Sequence, residues 1–152
     1  MTLLSRKVDY ALLILSYLHR RTEGGSAREI AARFGLSQAF VANILKGLCQ
    51  KGFVSSHRGV KGGYALARSA DAVRLADLME ALDDRFHLAE CTRPAADDSN
   101  CTLTHVCPLR GAVAEVHRRI RDVLSRVTLA ELFADVPDRG KEDVTLGLLV
   151  AN

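Results

Sequence analysis

The sequence predicts a mainly α-helical fold that carries one small β-hairpin. Two short helices, expected from Ser26 and from Ser37, are separated by a tight turn at Gly35. A hairpin with a glycine-rich, basic tip follows the two helices. A long amphipathic helix is expected from Pro108 to about Val127. Together these observations predict a winged helix-turn-helix followed by a long C-terminal dimerisation helix.

The first two helices are marked by periodicity and by caps. A helix is expected over residues 3–20, because apolar residues recur there at steps of three and four. A glycine pair then breaks the pattern. Ser26 and Glu29 have the spacing of a capping box, which satisfies free amide groups at a helix start. Gly35 stops this second helix.

The third helix is the expected recognition helix. Ser37 is its predicted N-cap, and Gly52 ends it. Its predicted core face is Phe40, Val41, Ile44, Leu45 and Leu48. Its predicted exposed face is Ser37, Gln38, Ala39, Ala42, Asn43 and Lys46. In a helix-turn-helix the first residues of this helix lie nearest the base edges. Gln38 and Asn43 suit adenine and Lys46 suits phosphate, or all three are simply solvated polar residues.

The hairpin is expected to form a wing. Its strands are predicted at residues 53–56 and 64–66, and the loop between them contains Arg58 and Lys61. Arginine suits a narrow minor groove, where the potential is most negative. Residues 1–70 hold 11 basic and 3 acidic residues, a net charge of +8, whereas residues 71–152 hold 10 and 15, a net charge of −5. This asymmetry favours contact between the basic half and a polyanion.

The remaining helices suggest self-association. A fourth helix is expected over residues 75–82. The long helix has a seam whose members recur at steps of four and three, namely Leu109, Val113, Val116, Ile120, Val123 and Val127. Such a seam favours a partner helix from a second copy of the chain, although it could instead pack on the chain's own core. Thr128 and Glu131 offer another capping box, which opens a short helix through Phe133.

Three of the four cysteines cluster in a segment that lacks periodicity. Cys91, Cys101 and Cys107 have the spacing C-x9-C-x5-C. Thiolates are soft ligands that suit an iron–sulfur cluster or zinc, and the alternatives are a thiol switch or three unrelated cysteines. Cys49 lies on the third helix and is expected to be a small, partly buried core residue.

Several motifs resemble the IscR/NsrR/RirA regulators of the Rrf-two superfamily. They are Leu4-Ser-Arg-Lys-Val-Asp-Tyr-Ala-Leu12, Ile30-Ala31, Ile44-Leu-Lys-Gly-Leu48, Arg58-Gly-Val-Lys-Gly-Gly-Tyr-Ala-Leu-Ala67, Phe86-His-Leu-Ala-Glu-Cys91 and Thr128-Leu-Ala-Glu-Leu132. The resemblance covers roughly residues 2–133. It implies a homodimeric transcription factor whose arginine at position 58 enters the minor groove of double-stranded DNA. It also implies an iron–sulfur cluster, [2Fe-2S] or [4Fe-4S], on the three clustered cysteines.

The fourth cluster ligand has more than one candidate. By resemblance, Asp9 corresponds to a carboxylate that NsrR contributes from the partner subunit, or else it is an ordinary solvated charge. His105 lies between two of the cysteines and could take that place, although no family motif supports it. Arg110 stands where IscR-type regulators have a histidine ligand.

These observations predict a sequence-specific DNA-binding regulator that senses iron, redox state or nitric oxide through its cluster. The alternative is a cluster-free repressor controlled by thiol oxidation, zinc or a protein partner. No catalytic constellation points to an enzyme, and no apolar run is long enough for a membrane span, so a cytoplasmic protein is expected. The expected domains are a DNA-binding domain at 1–83, a cluster loop at 84–107, a dimerisation region at 108–134 and a tail at 135–152.

Overall fold

Six α-helices and one two-stranded hairpin make up the described part of the chain. The structure is a computed structural model, and it describes residues 4–57, 59, 62–82, 86–93, 101–103 and 105–134. The elements in order are α1 (Arg6–His19), α2 (Ala27–Phe34), α3 (Gln38–Gln50), β1 (Val54–His57), β2 (Gly63–Leu66), α4 (Leu75–Ala81), α5 (Arg110–Arg126) and α6 (Leu129–Ala134). Among these residues no helix has the length and apolar character that a membrane crossing needs.

Local capping explains where the first three helices begin and end. Ser26 Oγ accepts the backbone N–H of Glu29 at 3.2 Å, and the Glu29 carboxylate accepts the N–H of Ser26 at 2.7 Å, so the predicted capping box of α2 is confirmed. Gly35 closes α2 in the left-handed conformation at φ +64°. Ser37 Oγ accepts the N–H of Phe40 at 3.2 Å and caps α3 as expected.

One apolar core unites the DNA-binding elements with α4 and α6. Its largest fully buried side chains are Val8, Ile14, Leu15, Ile30, Val41, Leu45, Leu48, Leu78 and Leu129. They come from α1, α2, α3, α4 and α6, each of which has the three- and four-residue spacing that places apolar residues on one face. The core therefore fixes α3 by its inner face and leaves its outer face to solvent.

The hairpin is attached to the turn between α1 and α2. Val54 pairs with Leu66 and His57 pairs with Gly63 in an antiparallel register. Gly25 and Tyr64 exchange two backbone hydrogen bonds of 2.9 and 2.8 Å, which extend the hairpin onto that turn. Gly24 has a φ of +77°, and a Cβ atom there would lie 2.4 Å from the carbonyl oxygen of Tyr64. Glycine is therefore required at position 24 by both the backbone angle and the close approach.

The end of α5 is tied to the start of α4 by backbone hydrogen bonds. Leu75 N–H donates to the carbonyl of Val127 at 2.9 Å, and Leu129 N–H donates to Val73 at 3.0 Å. The predicted capping box at Thr128 is confirmed, because its Oγ1 accepts the N–H of Glu131 at 3.1 Å and the Glu131 carboxylate accepts the N–H of Thr128 at 2.7 Å.

Two details of the helices differ from the sequence expectation. Phe40 was expected in the core, but it is 39% exposed, because its ring packs edge-on against Tyr10 at the surface with 4.9 Å between ring centroids. Pro108 was expected in the first helical turn, but α5 begins at Arg110, two residues later, after a turn that runs through Pro108 and Leu109.

Candidate DNA interface and cysteine segment

The start of α3 presents the predicted recognition residues together. Ser37, Gln38, Ala39, Asn43 and Lys46 are all exposed, and Ala42 is half-buried. The buried residues Val41, Ile44, Leu45 and Leu48 lie on the opposite face. The sequence-predicted residues of this helix thus share one solvent-facing surface, whose form suits insertion into a major groove.

A contact between α1 and α3 supports this surface at its edge. Tyr10 and Phe40 meet edge-on, with their ring planes at 85°. Both rings line a shallow groove that also includes Asn43 and Gly47. Periodicity alone missed this role of Phe40, since a contact between two partly exposed rings has no local sequence signal.

The wing is described up to its base. His57 and Gly63 are its last paired residues, and the N–H of Gly62 donates to the carbonyl of Gly59 at 2.8 Å in the tip. Arg58 and Lys61 lie outside the described residues, so their predicted contact with DNA stays a prediction.

Basic residues beside the wing were missed by the sequence analysis. Arg20 and Arg21 line an open groove together with Gly62 and Gly63 of the wing. The guanidinium of Arg21 lies 4.7 Å from the centre of the Tyr17 ring, which positions it by a cation–π contact. The sequence feature that could have revealed this groove is the Arg-Arg pair that follows the first helix. The pair adds positive charge next to the wing.

The three clustered cysteines lie in two short turns and are half-buried. Cys91 sits in the 3₁₀ turn Glu90–Thr92, where Thr92 Oγ1 accepts the N–H of Ala89 at 3.2 Å and donates to its carbonyl at 2.7 Å. The N–H of Cys107 donates to the carbonyl of Leu103 at 2.9 Å in a second turn, before α5. Cys101 precedes that turn, and all three thiols are free of disulfides.

The described residues do not assemble a metal site. Within residues 4–57, 59, 62–82, 86–93, 101–103 and 105–134, no three His, Cys, Asp or Glu side chains come close enough to hold a metal ion. The donor chemistry of the three thiols suits an iron–sulfur cluster. Asp9 and His105 are both exposed, and neither is brought to the cysteines in a ligand cluster.

Cys49 has the environment of a structural cysteine. It is half-buried on α3 and packs against the core. Burial raises the pKa of its thiol, which disfavours the thiolate that metals require. This placement agrees with the core position expected from the sequence.

The predicted seam of α5 is largely open in the single chain. Leu109, Val116 and Val123 are 64%, 48% and 61% exposed. The buried residue of α5 is instead Leu124, which the seam does not include. Ile120 packs against the edge of the core. The chain's own core therefore covers the side of α5 next to the seam. Half of the seam residues are left to solvent, and Val113, Ile120 and Val127 are half-buried.

A charge network covers another side of α5. Arg118 donates to Glu115 at 2.8 Å and to Asp122 at 2.7 Å, and Arg119 also donates to Glu115 at 2.8 Å. These hydrogen bonds from Arg118 and then Arg119 lower the pKa of Glu115 to about 2. The pairs are exposed and stabilise the helix only modestly.

Comparison with protein families decides the identity of the fold. The model of the Rrf2 family, described as an iron-dependent transcriptional regulator, matches residues 4–135. The chain belongs to the Rrf2 family. It is therefore a winged-helix transcriptional regulator, as the hairpin beside the helix-turn-helix indicates.

Individual relatives agree with this assignment. The chain is 31% identical over 134 residues to the HTH-type transcriptional regulator NsrR of Geobacillus kaustophilus, which covers 87% of this chain and 90% of that protein. Among solved structures it is similar to CymR (YrzC), the global cysteine regulator of B. subtilis, with a TM-score of 0.72 and 26% identity over 90% of this chain and 100% of the other. The fold also matches IscR of T. potens, with a TM-score of 0.63 and 24% identity over 95% of each chain.

Proposed function

We propose that this Rrf2-family regulator binds operator DNA as a homodimer and holds an iron–sulfur cluster on its cysteine segment. The observation that carries the proposal is the family match over residues 4–135, a range that contains the recognition helix, the wing, the three clustered cysteines and α5. The proposed division of labour follows the expected domains, with DNA binding in residues 1–83, cluster binding in 84–107 and dimerisation in 108–134.

In the DNA complex, the exposed start of α3 enters the major groove. Gln38 and Asn43 read base edges there, Ser37 and Ala39 approach the bases or backbone closely, and Lys46 contacts phosphate. Arg58 and Lys61 of the wing contact the adjacent minor groove. The support for this arrangement is that the described members of this set are all exposed on one face of a helix fixed by the core.

The DNA contacts are tested by salt-dependent binding to an operator selected from random duplexes. Gln38→Ala and Asn43→Ala are expected to weaken operator binding by about 1–3 kcal/mol, or about fivefold to 150-fold, with little effect on random DNA. Lys46→Ala is expected to weaken binding to all duplexes and to lower the salt slope by about 1. Gln50→Ala, at the far end of the same helix, is the matched control. If the purified protein shows no preference among duplexes in any form, the proposal is wrong.

Dimerisation is proposed through the exposed seam of α5. A second copy of α5 would cover Leu109, Val116 and Val123, which is the economical way to bury a narrow apolar stripe. Val123→Lys is expected to convert the dimer to a monomer in analytical ultracentrifugation. Ala114→Lys adds the same charge at an exposed position away from the seam and is expected to leave the dimer intact. Dimers of equal strength in both variants would refute the seam.

The cluster is proposed to rest on Cys91, Cys101 and Cys107, with Asp9 of the partner subunit as the candidate fourth ligand. Because the described residues contain no group of three potential ligands close enough for one metal ion, we expect cluster binding to rearrange the cysteine segment. We expect protein purified without oxygen to contain iron and sulfide. Alanine at any of the three positions is expected to abolish the visible absorption, whereas Cys49→Ala, which removes the thiol on α3, is expected to keep it.

Because the described residues contain no assembled ligand group, they are equally compatible with the alternative function. A cluster-free repressor controlled by thiol oxidation, zinc or a protein partner needs no preassembled ligand set. Iron and sulfide analysis of the anaerobic protein decides between the two. Protein that contains neither iron nor sulfide, but whose operator binding changes on thiol oxidation, would replace the cluster by a thiol switch.

A further inference from the structure

A cavity of about 140 Å³ lies between α4, the segment at residues 86–92 and α5. Its apolar wall is formed by Ala76, Met79, Phe86 and Leu124. A space of this size holds a molecule of about six to eight non-hydrogen atoms. The apolar wall favours a small organic body over a bare inorganic ion.

The polar side of the cavity consists mainly of nitrogen groups. His87, His117 and Arg121 line it, with Glu80 at the same cavity. The Nδ1 atom of His87 is buried without a hydrogen-bond partner among the described residues. A buried polar atom in that state costs about 1–3 kcal/mol of stability.

The state of His117 adds a second hydrogen-bond donor. Its Nδ1 accepts the backbone N–H of Leu88 at 3.4 Å, so in the neutral ring the hydrogen lies on Nε2. Desolvation, followed by the charges of Arg121 and His87, lowers the pKa of His117 and favours this neutral form. The stacked rings of Phe86 and His87, with centroids 5.4 and 6.0 Å from that of His117, hold it in place.

We propose that this cavity binds a small organic carboxylate with a short apolar body, which is held by Arg121, His87 and His117. The guanidinium of Arg121 supplies the positive charge, and the two imidazoles supply hydrogen bonds to the carboxylate oxygens. Glu80 at the same cavity disfavours a second negative charge on the ligand. Among the described residues, no three His, Cys, Asp or Glu side chains lie close enough to hold one metal ion.

Such a ligand would join three elements that meet at the cavity. It would contact α4, α5 and the residues that lead directly into Cys91, and thereby hold that segment against α5. Such a site would let a small molecule act on the regulator without binding to its cysteines. Binding itself depends neither on DNA nor on a cluster, so its test is independent of the proposed function.

The chain contains two methionines, and this makes the test direct. Met79 lines the cavity, whereas Met1 lies outside the described residues. In the full-length protein labelled with ¹³C at the methionine methyl groups, 4-methylpentanoate is expected to shift the Met79 signal in a saturable way, with a Kd of about 1 mM. The isosteric amide, 4-methylpentanamide, lacks the charge and is expected to bind at least about tenfold more weakly. Leucine, titrated in parallel, reports whether an amino group beside the carboxylate adds affinity.

Two arginine variants complete the experiment. Arg121→Gln is expected to weaken carboxylate binding by about tenfold or more, because it removes the positive charge at the cavity. Arg119→Gln removes an arginine that pairs with Glu115 outside the cavity, and it is expected to bind as the wild type does. The proposal is overturned if 20 mM carboxylate leaves the Met79 signal unchanged. It is equally overturned if the amide binds as well as the carboxylate, or if Arg121→Gln has no effect.

Discussion

The requirement for glycine at position 24 gives the sharpest test of how the wing is held. Gly24 and Gly35 both have left-handed backbone angles, with φ of +77° and +64°. A Cβ atom at position 35 would meet nothing within 4 Å, but at position 24 it would lie 2.4 Å from the backbone carbonyl of Tyr64. The two alanine variants therefore share the conformational penalty and differ only in the clash with the wing.

The expected magnitudes follow from this difference. Gly35→Ala is expected to lower the free energy of unfolding by about 1–2 kcal/mol, the cost of a left-handed alanine. Gly24→Ala carries the same cost and also separates Gly25 from Tyr64, whose two hydrogen bonds contribute about 0.5–1.5 kcal/mol each. The additional loss is thus about 1–3 kcal/mol. Both variants reduce the entropy of the unfolded chain equally, so that effect cancels in the comparison.

Urea unfolding at equilibrium measures the difference, and operator binding at a temperature where both variants are folded reports on the wing. Gly24→Ala is expected to lose affinity for DNA because its wing is no longer fixed to the turn after α1, whereas Gly35→Ala is expected to keep it. Equal stability losses in the two variants would show that the approach between Gly24 and the Tyr64 carbonyl does not hold the wing.

Three further predictions concern α5, α6 and the cavity. Thr128→Val removes the hydroxyl that caps α6, and we expect the melting temperature to fall by about 2–4 °C, whereas Thr102→Val at an exposed turn leaves it unchanged. The pKa of Glu115 is about 2, so the contribution of its ion pairs to stability is fully present above the ordinary value of 4.5 and is lost as the pH falls through 2. An NMR titration of the Glu115 carboxylate should show this low pKa, and Arg118→Gln should raise it. His87→Leu replaces a buried nitrogen that has no hydrogen-bond partner among the described residues by an apolar group, and calorimetry is expected to show a rise in the melting temperature of about 2–4 °C. A fall would mean that this nitrogen is hydrogen-bonded in solution.

Features governed by neighbouring residues were predictable from the sequence. The capping boxes at Ser26 and Thr128 and the left-handed stop at Gly35 depend on groups within four residues of one another, and all three are confirmed. The hairpin was also predicted, because its turn glycines mark it. The position of Phe40 was wrong because spacing identifies a helix face but not the partner, here Tyr10, that covers it.

Features that depend on distant residues could not be predicted. The cavity needs α4, residues 86–92 and α5 to meet, and no local pattern links Met79 to His117. The sequence also did not predict that Leu124, rather than a residue of the seam, is buried on α5. The side of α5 that meets α4 depends on how distant parts of the chain pack together. The spacing of the three cysteines predicted a shared site, but convergence depends on the backbone between them, and the described residues contain no ligand group for a metal ion.

The way α4 and α5 are joined suggests how a change in the cysteine segment reaches the DNA-binding elements. At one end, the hydrogen bonds from Leu75 to Val127 and from Leu129 to Val73 fix the start of α4 to the end of α5. At the other end, the segment that carries the cysteines connects the two helices along the chain. We expect a rearrangement of that segment to change the separation at this end while the other end stays fixed, which would alter the angle between the helices. Because Leu78 of α4 lies in the same core as Leu45 of α3, we expect a change in that angle to shift the recognition helix relative to α5 and, in the proposed dimer, to its copy.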